Sequence, residues 1–242
     1  MTHTNALVIG AGGGLGGAVA GRLLDKVTGR VFAVSRNATN DSAVDNERLH
    51  PLSCDYSQTS IDDVCAAISR SPDPISAVCI CNGVLHSEGF FPEKRIESLD
   101  PESMMSVYNV NAIVPMMWVK SLLPILAGTQ QCVVSVFSAR VGSISDNRRG
   151  GWYSYRASKA ALNMLLKTAS IEYARRAPNV KLIAFHPGTA DTALSKPFQG
   201  SVPGGKLFKP AFVADRLMMV IENADYDRGL EFIDWNGVTV EW

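Results

Sequence analysis

Ala6-Leu-Val-Ile9, followed by Gly10-Ala-Gly-Gly-Gly-Leu-Gly-Gly17, is the segment of this chain that points most directly to its fold. Its apolar half predicts a short buried strand, and the apolar periodicity of residues 15–27 predicts a helix directly after the glycines. Glycines between a strand and a helix allow a tight turn, and the helix N-terminus offers free N–H groups to phosphates. The alternative is a flexible turn without a ligand, but the strand–turn–helix setting favours a dinucleotide site.

Strand-like and helix-like patterns alternate along the rest of the chain. Helical patterns follow at residues 61–71, 104–126, 155–176 and 211–223, and strands are predicted at 6–9, 30–35, 49–54, 77–81, 132–137, 180–185 and 230–233. Repeated strand–helix units predict a parallel sheet with helices on both faces, and near-continuous apolar strands are typical of such sheets. We therefore predict an α/β fold, with residues 1–242 forming a single Rossmann-type doubly wound parallel sheet of about seven strands.

The composition of the chain argues against several classes of partner. The chain has 242 residues, 46% of them hydrophobic, and its 23 basic residues balance 23 acidic ones. Zero net charge argues against a nucleic-acid partner. Five cysteines without a Cys-x-x-Cys pair or a histidine cluster predict reduced thiols in a cytoplasmic protein and no metal site. We find neither a signal-peptide pattern nor an apolar run near the ~20 residues that span a bilayer, so no membrane association is predicted.

The end of the second predicted strand indicates which dinucleotide binds. An acidic residue there would bind the ribose 2′-hydroxyl of NAD, whereas an arginine accommodates a 2′-phosphate. Ser35 and Arg36 occupy this point. Arginine pairs bidentately with phosphate, so NADP(H) is predicted and NAD is the weaker choice, although Arg36 could also be an ordinary surface charge.

A second motif, Tyr155-Arg-Ala-Ser-Lys159, opens the long helix. Tyr155 and Lys159 lie four residues apart, which places them on one face about one turn apart. A free tyrosine has a pKa of ~10, and a neighbouring lysine cation is expected to lower it. The pair could act as a general acid/base, although this spacing also occurs on ordinary solvated helix faces. Tyr153 lacks a lysine four residues later.

With both motifs placed, the chain resembles the short-chain dehydrogenase/reductase family over essentially its whole length. The glycine pattern matches at Gly10, Gly14 and Gly16, whereas Asn82 is displaced by one residue from the family's Asn-Ala-Gly segment. Residues 143–159 and 232–242 are similar to C-factor-like and carbonyl-reductase-like members. The resemblance implies cofactor contacts from Gly10, Gly14, Leu15, Gly16, Ser35, Arg36, Asp55, Tyr56, Asn82, Gly83, Tyr155, Lys159, Pro187, Gly188, Thr189 and Thr192.

The resemblance also implies a catalytic set. Tyr155 would transfer the proton, Lys159 would lower the pKa of that tyrosine and hold the nicotinamide ribose, and Ser138 would hold the substrate oxygen. Asn111 would bind a water molecule in the proton relay. Ser138 and Tyr155 are farther apart in sequence than the family's usual interval, so residues 146–151 must form a surface loop if the two side chains are to meet.

The implied activity is an NADP(H)-dependent hydride transfer between the nicotinamide and a carbonyl or alcohol carbon of a small molecule. Aromatic residues near the expected pocket (Phe90, Phe91, Trp152 and Phe198) suggest a largely apolar substrate. The family's habit of pairing through helices at 112–126 and 155–176 implies a homodimer or homotetramer. The alternative is a nucleotide-binding regulatory or intercellular-signalling protein, C-factor-like, on the same fold, because a fold does not fix its function.

Overall fold

The computed structural model describes residues 3–37, 46–227 and 229–242. Its strands, numbered in chain order, are Asn5–Ile9 (β1), Val31–Ser35 (β2), Leu49–Ser53 (β3), Ile75–Ile80 (β4), Cys132–Phe137 (β5), Val180–His186 (β6), Thr189–Ala190 (β7), Leu207–Phe208 (β8) and Glu231–Asp234 (β9). Seven of them form one parallel sheet in the order β3-β2-β1-β4-β5-β6-β9, and β7 pairs with β8 separately. The predicted α/β fold with a seven-stranded parallel sheet is confirmed.

Helices cover both faces of this sheet. They are Gly14–Lys26 (α1), Gln58–Ser69 (α2), Pro101–Tyr108 (α3), Val114–Leu126 (α4), Tyr153–Arg176 (α5) and Pro210–Glu222 (α6). One face buries apolar side chains of α2, α4 and α5, and the other buries those of α1 and α6. Strands β1 and β4 are apolar and buried on both sides, which explains their lack of polar–apolar alternation.

The strand order creates the crevice in which a ligand can bind. From β1 the chain moves outward through β2 and β3, then returns to place β4 on the other side of β1. In open α/β sheets the crevice beyond the carboxyl ends of the strands, at such a reversal, is the usual ligand site. The glycine turn follows β1 and residues 81–83 follow β4, so both lie at this edge.

The stretch Pro101–Leu126 is long and apolar enough, by length and composition alone, to cross a membrane. This differs from the expectation that no apolar run in the sequence approaches ~20 residues. Here the stretch comprises α3, a π-helical turn at Asn109–Ile113 and α4. Half of the 18 most apolar consecutive residues of this stretch are buried, and Trp118 and Leu122 are fully buried against the sheet. This packing is typical of a core helix.

Candidate active site

The glycine turn forms a cradle at the N-terminus of α1. Gly10 has a positive φ of 84°, and a Cβ on Gly16 would overlap the Gly10 carbonyl oxygen. Helix α1 begins at Gly14 without a side-chain cap. The first-turn N–H groups of any α-helix have no intrahelical acceptor, and here no capping side chain accepts from them either. They also carry the positive end of the helix dipole. These features fit a phosphate group.

One continuous cleft runs from this turn along the carboxyl edge of the sheet. Its cofactor half is lined by the glycine turn, Arg36, Cys81 and residues 83–86, with 192–194 on the opposite side. Its catalytic half has a volume of about 350 Å³ and contains Ser138, Tyr155 and the segment 187–190. Leu15, Leu85, Thr192 and Leu194 line both halves, which makes the two halves continuous.

Arg36 is exposed at the cofactor half. No Asp or Glu lines this half within the described ranges. Ser35 lies under the turn, where a Cβ on Gly12 would come within 3.2 Å of the Ser35 Cβ. The surroundings of the turn therefore fit the 2′-phosphate of NADP(H) better than the free hydroxyl of NAD.

Six predicted cofactor residues do not line the cleft: Gly10, Ser35, Asp55, Tyr56, Asn82 and Lys159. Asp55 is exposed, and its carboxylate accepts a hydrogen bond from the Ser57 amide at 2.8 Å. The Ser57 hydroxyl first, and then this amide, lower the pKa of Asp55. Tyr56 is partly buried and adopts a positive φ of 69°. Asn82 donates from Nδ2 to the Val110 carbonyl at 2.9 Å. Its backbone closely abuts Gly10 instead.

The segment after β6 forms one wall of the cleft. Pro187, Gly188, Thr189 and Thr192 line the catalytic half. Gly188 has a positive φ of 72°, and a Cβ there would lie 2.6 Å from the Phe208 ring. A Cβ on Gly14 would lie 3.1 Å from the Thr192 methyl group, so this segment reaches the glycine turn.

Tyr155, Lys159 and Ser138 meet at the end of β5 despite the long interval between Ser138 and Tyr155. Ser138 and Tyr155 line the same cleft, while residues 144–150 form an exposed loop. The buried Lys159 ammonium donates to the Phe137 carbonyl at 2.8 Å and lies 5.9 Å from the centre of the Tyr155 ring. Residues 144–150 therefore extend into solvent, which allows Ser138 and Tyr155 to line the same cleft despite the long interval between them.

The pKa prediction for Tyr155 is wrong. Burial raises the pKa of Tyr155 to about 12 and lowers that of Lys159 to about 7. Desolvation disfavours the charged form of each group, and it is the cause of both shifts. The phenol consequently keeps its proton at neutral pH, which suits a proton donor.

Asn111 lies in the π-helical turn and is fully buried. Its Oδ1 accepts from the Val84 amide at 2.8 Å, and its Nδ2 donates to the Val84 carbonyl at 2.8 Å and to Ser158 Oγ at 3.1 Å. The side chain therefore ties the loop after β4 to α5. A Cβ on Gly83 would lie 3.4 Å from Asn111 Oδ1 and 3.8 Å from Lys159 Nζ, so both side chains lie close to Gly83.

Glu93 is a residue that the sequence analysis missed. It is buried, and its carboxylate accepts from both the backbone amide and the hydroxyl of Ser154. Its carbonyl accepts from the Trp152 amide at 2.6 Å. Ser154 is the second residue of α5, and Trp152 offers that helix no side-chain cap. Glu93 thus caps the helix from a distant loop, one residue before Tyr155.

Asn163 was also missed. Ser138 Oγ donates to Asn163 Oδ1 at 2.6 Å, deep in the protein. The Asn163 Nδ2 is buried and has no partner among the described residues. Both missed contacts join residues distant in sequence. The only local signal is a 24-residue helix that begins without a Ser, Thr, Asp or Asn at its N-cap.

Comparisons with known proteins define the class. The family model for short chain dehydrogenase matches residues 4–201. The chain belongs to the short-chain dehydrogenase family, whose members are oxidoreductases. The resemblance inferred from the sequence is confirmed.

Individual proteins are similar to this chain in sequence or in fold. The chain is 26% identical over 239 residues to 1-hydroxy-2-glutathionyl-2-methyl-3-butene dehydrogenase from Rhodococcus sp., covering 99% of this chain and 100% of the relative. It is 29% identical over 144 residues to C-signal of Myxococcus xanthus, covering 60% of this chain and 81% of that one. The NADPH-bound carbonyl reductase from chicken fatty liver has a TM-score of 0.84 at 22% identity, with both chains fully covered.

Proposed function

We propose that the protein is an NADP(H)-dependent oxidoreductase that interconverts a carbonyl compound and its alcohol. The observation that carries this proposal is the continuous cleft. It joins the cradle at Gly14–Gly16 and Arg36 to Tyr155 and Ser138. A dinucleotide lying along this cleft would have its phosphates at the helix N-terminus and its reactive end beside a protonated phenol.

The residues of the cofactor half fit NADP(H). The free amides of Gly14, Leu15 and Gly16 would hold the pyrophosphate, and Arg36 would pair with the 2′-phosphate. The chicken carbonyl reductase with a similar fold is described as NADPH-bound, which supports this choice. When bound, the nicotinamide supplies or accepts the hydride.

The chain's own residues would manage the proton and the substrate oxygen. Tyr155 holds a proton at neutral pH and would donate it to the oxygen of a carbonyl in the cleft. Ser138 would orient that oxygen, after exchanging its bond to Asn163 for one to the substrate. Lys159 has a pKa of about 7 and can return a proton towards Tyr155.

Asn111 has a positioning role in this proposal. Its three hydrogen bonds fix the loop at Val84 against Ser158 of α5. This arrangement keeps Gly83 and Lys159 close together beside the catalytic half. A water molecule carrying protons to Lys159 would follow the same route, as the family resemblance implies.

The relatives support the reaction class. The Rhodococcus relative is named as the dehydrogenase of a hydroxy compound, and the chicken protein is named as a carbonyl reductase. The likeness to C-signal instead favours the second candidate, a signalling protein on this fold. A protein of that kind that binds NADPH but reduces no carbonyl compound would not need the proton chemistry of Tyr155.

The decisive experiment compares Tyr155→Phe with Tyr153→Phe. Wild-type protein is assayed with a panel of aldehydes and ketones, using NADPH and NADH in parallel, and NADPH binding is measured by fluorescence titration. Tyr155→Phe should lose at least about 100-fold in kcat, within the usual range for a general acid, and retain NADPH binding. Tyr153 is exposed, so its variant should match the wild type. Full activity in Tyr155→Phe would refute the proposal.

A further inference from the structure

The catalytic half of the cleft has a biased charge. Its described lining residues include three cations, Arg140, Arg149 and Lys206, and no Asp or Glu. The whole chain, in contrast, has zero net charge. Cations concentrated around a cleft attract anionic ligands, because the low-dielectric walls focus their field.

The three cations are not equally compensated. Arg140 forms an ion pair with Asp146 at 3.2 Å, which offsets its charge. Arg149 has no hydrogen bond or ion pair within the described part of the chain, and Lys206 lies over the Trp235 ring at 5.5 Å without a carboxylate partner there. Arg149 and Lys206 therefore leave two positive charges available to a ligand.

These two charges do not belong to the cofactor half. The phosphate cradle and Arg36 line that half, whereas Arg149 and Lys206 line only the catalytic half. A cofactor with its phosphates at Gly14–Gly16 would therefore leave these two cations beside its reactive end. The anion that they attract is expected to come from the substrate.

The walls between the charges and Tyr155 are aromatic. The Trp152 and Phe198 rings lie 5.1 Å apart edge to face, and the Trp152 ring lies 6.2 Å from that of Tyr155. Such surfaces bind the flat or alkyl body of a small molecule. The cleft thus offers a proton donor, an apolar wall and a cationic outer part.

We propose that the substrate is an oxo acid: a carbonyl compound with an apolar body and a carboxylate, which Arg149 and Lys206 bind. This inference rests on the proposed function and sharpens it, because the sequence analysis predicted only a largely apolar substrate. The carbonyl would lie at Tyr155 and the body against Trp152 and Phe198. The carboxylate would be exposed enough for salt to screen its attraction to the two cations.

The test uses matched probes that differ by one negative charge and one methyl group. Benzoylformate, 3-benzoylpropionate and 4-benzoylbutyrate are assayed with NADPH beside their methyl esters. For at least one chain length the acid should have about 10-fold higher kcat/KM than its ester at low salt, through a lower KM, on the scale of partly exposed ion pairs. This preference should shrink at about 0.5 M salt, where the Debye length is only a few ångströms.

Charge-neutral variants locate the effect. Arg149→Gln and Lys206→Gln should each lower kcat/KM about 3- to 5-fold more for the acid than for the ester. Arg148 is exposed next to Arg149 but does not line the cleft, so Arg148→Gln should leave the acid preference unchanged. Esters reduced as efficiently as acids, or variants with an unaltered preference, would overturn this inference while leaving the reductase assignment intact. If no carbonyl compound is reduced, the proposed function itself fails.

Discussion

Replacing Lys159 with Met should make the protein's stability depend less on pH. Lys159 is only 3% exposed, and burial lowers its pKa from 10.5 to about 7. The unfolded chain therefore binds a proton at this lysine up to about pH 10.5, whereas the folded protein releases it near pH 7. Between these values the unfolded state carries more protons, so the free energy of unfolding should rise with pH.

The size of this effect follows from the pKa shift. One pKa unit corresponds to about 1.4 kcal/mol, so a shift of ~3.5 units penalises the folded state by ~5 kcal/mol below pH 7. That penalty should fall by ~3 kcal/mol between pH 7 and pH 9.5. Lys159→Met has no group to titrate, so its advantage over the wild type should shrink by this amount over the same range. The Phe137 carbonyl loses its hydrogen-bond donor in the variant, but this loss lowers the free energy of unfolding by a similar amount at both pH values.

The measurement is urea unfolding of both proteins at pH 7 and pH 9.5, followed by circular dichroism. Lys167 lies on the same helix but is exposed, and Lys167→Met serves as the control, with a pH-independent difference from the wild type. An equal stability difference between Lys159→Met and the wild type at both pH values would contradict the prediction. The lysine would then keep an ordinary pKa despite its burial.

Two further predictions concern the cofactor and the active-site helix. Arg36→Glu should lower kcat/KM with NADPH by about 10- to 100-fold, since a charge-assisted bond is worth about 1.5–3 kcal/mol, and steady-state kinetics with NADH, which has no 2′-phosphate, should show a much smaller loss. Glu93→Gln should lower the free energy of unfolding by about 1–3 kcal/mol, because the amide nitrogen of glutamine cannot accept the hydrogen bond that the second carboxylate oxygen accepts from Ser154. In this variant kcat should fall, while the KM for NADPH should stay near the wild-type value. The exposed Glu97→Gln control should behave like the wild type. An unchanged NADPH preference, or a Glu93→Gln variant with wild-type thermal midpoint and kcat, would contradict the respective prediction.

The sequence predicted the sheet because local patterns encode it. The apolar runs at β1, β4, β5 and β6 have strand length, and the helical patterns between them leave a parallel arrangement as the only simple solution. The glycine turn could also be predicted, because the glycines fall between a strand pattern and a helix pattern. The structure gives the reason for them, since a side chain at Gly10 or Gly16 would collide with the backbone. Predicted strand ends agree with the structure to within one or two residues.

The chemistry of the site was less accessible from the sequence. Spacing placed Tyr155 and Lys159 on one helical face, but it could not show that burial dominates both pKa values. The charge bias of the catalytic half was also invisible, because Arg149 and Lys206 are 57 residues apart in a chain of zero net charge. The roles of Glu93 and Asn163 depend on contacts across 61 and 25 residues.

The fold class, the nucleotide turn and the family can therefore be read from the amino-acid order, because each depends on residues within a few positions of one another. How Ser138 reaches the cleft beside Tyr155, what caps α5 and which charges surround the substrate depend on the folded arrangement. Those properties arise where the carboxyl ends of separate strands converge and exclude water. Desolvation and long-range contacts depend on that convergence, and no local pattern encodes them.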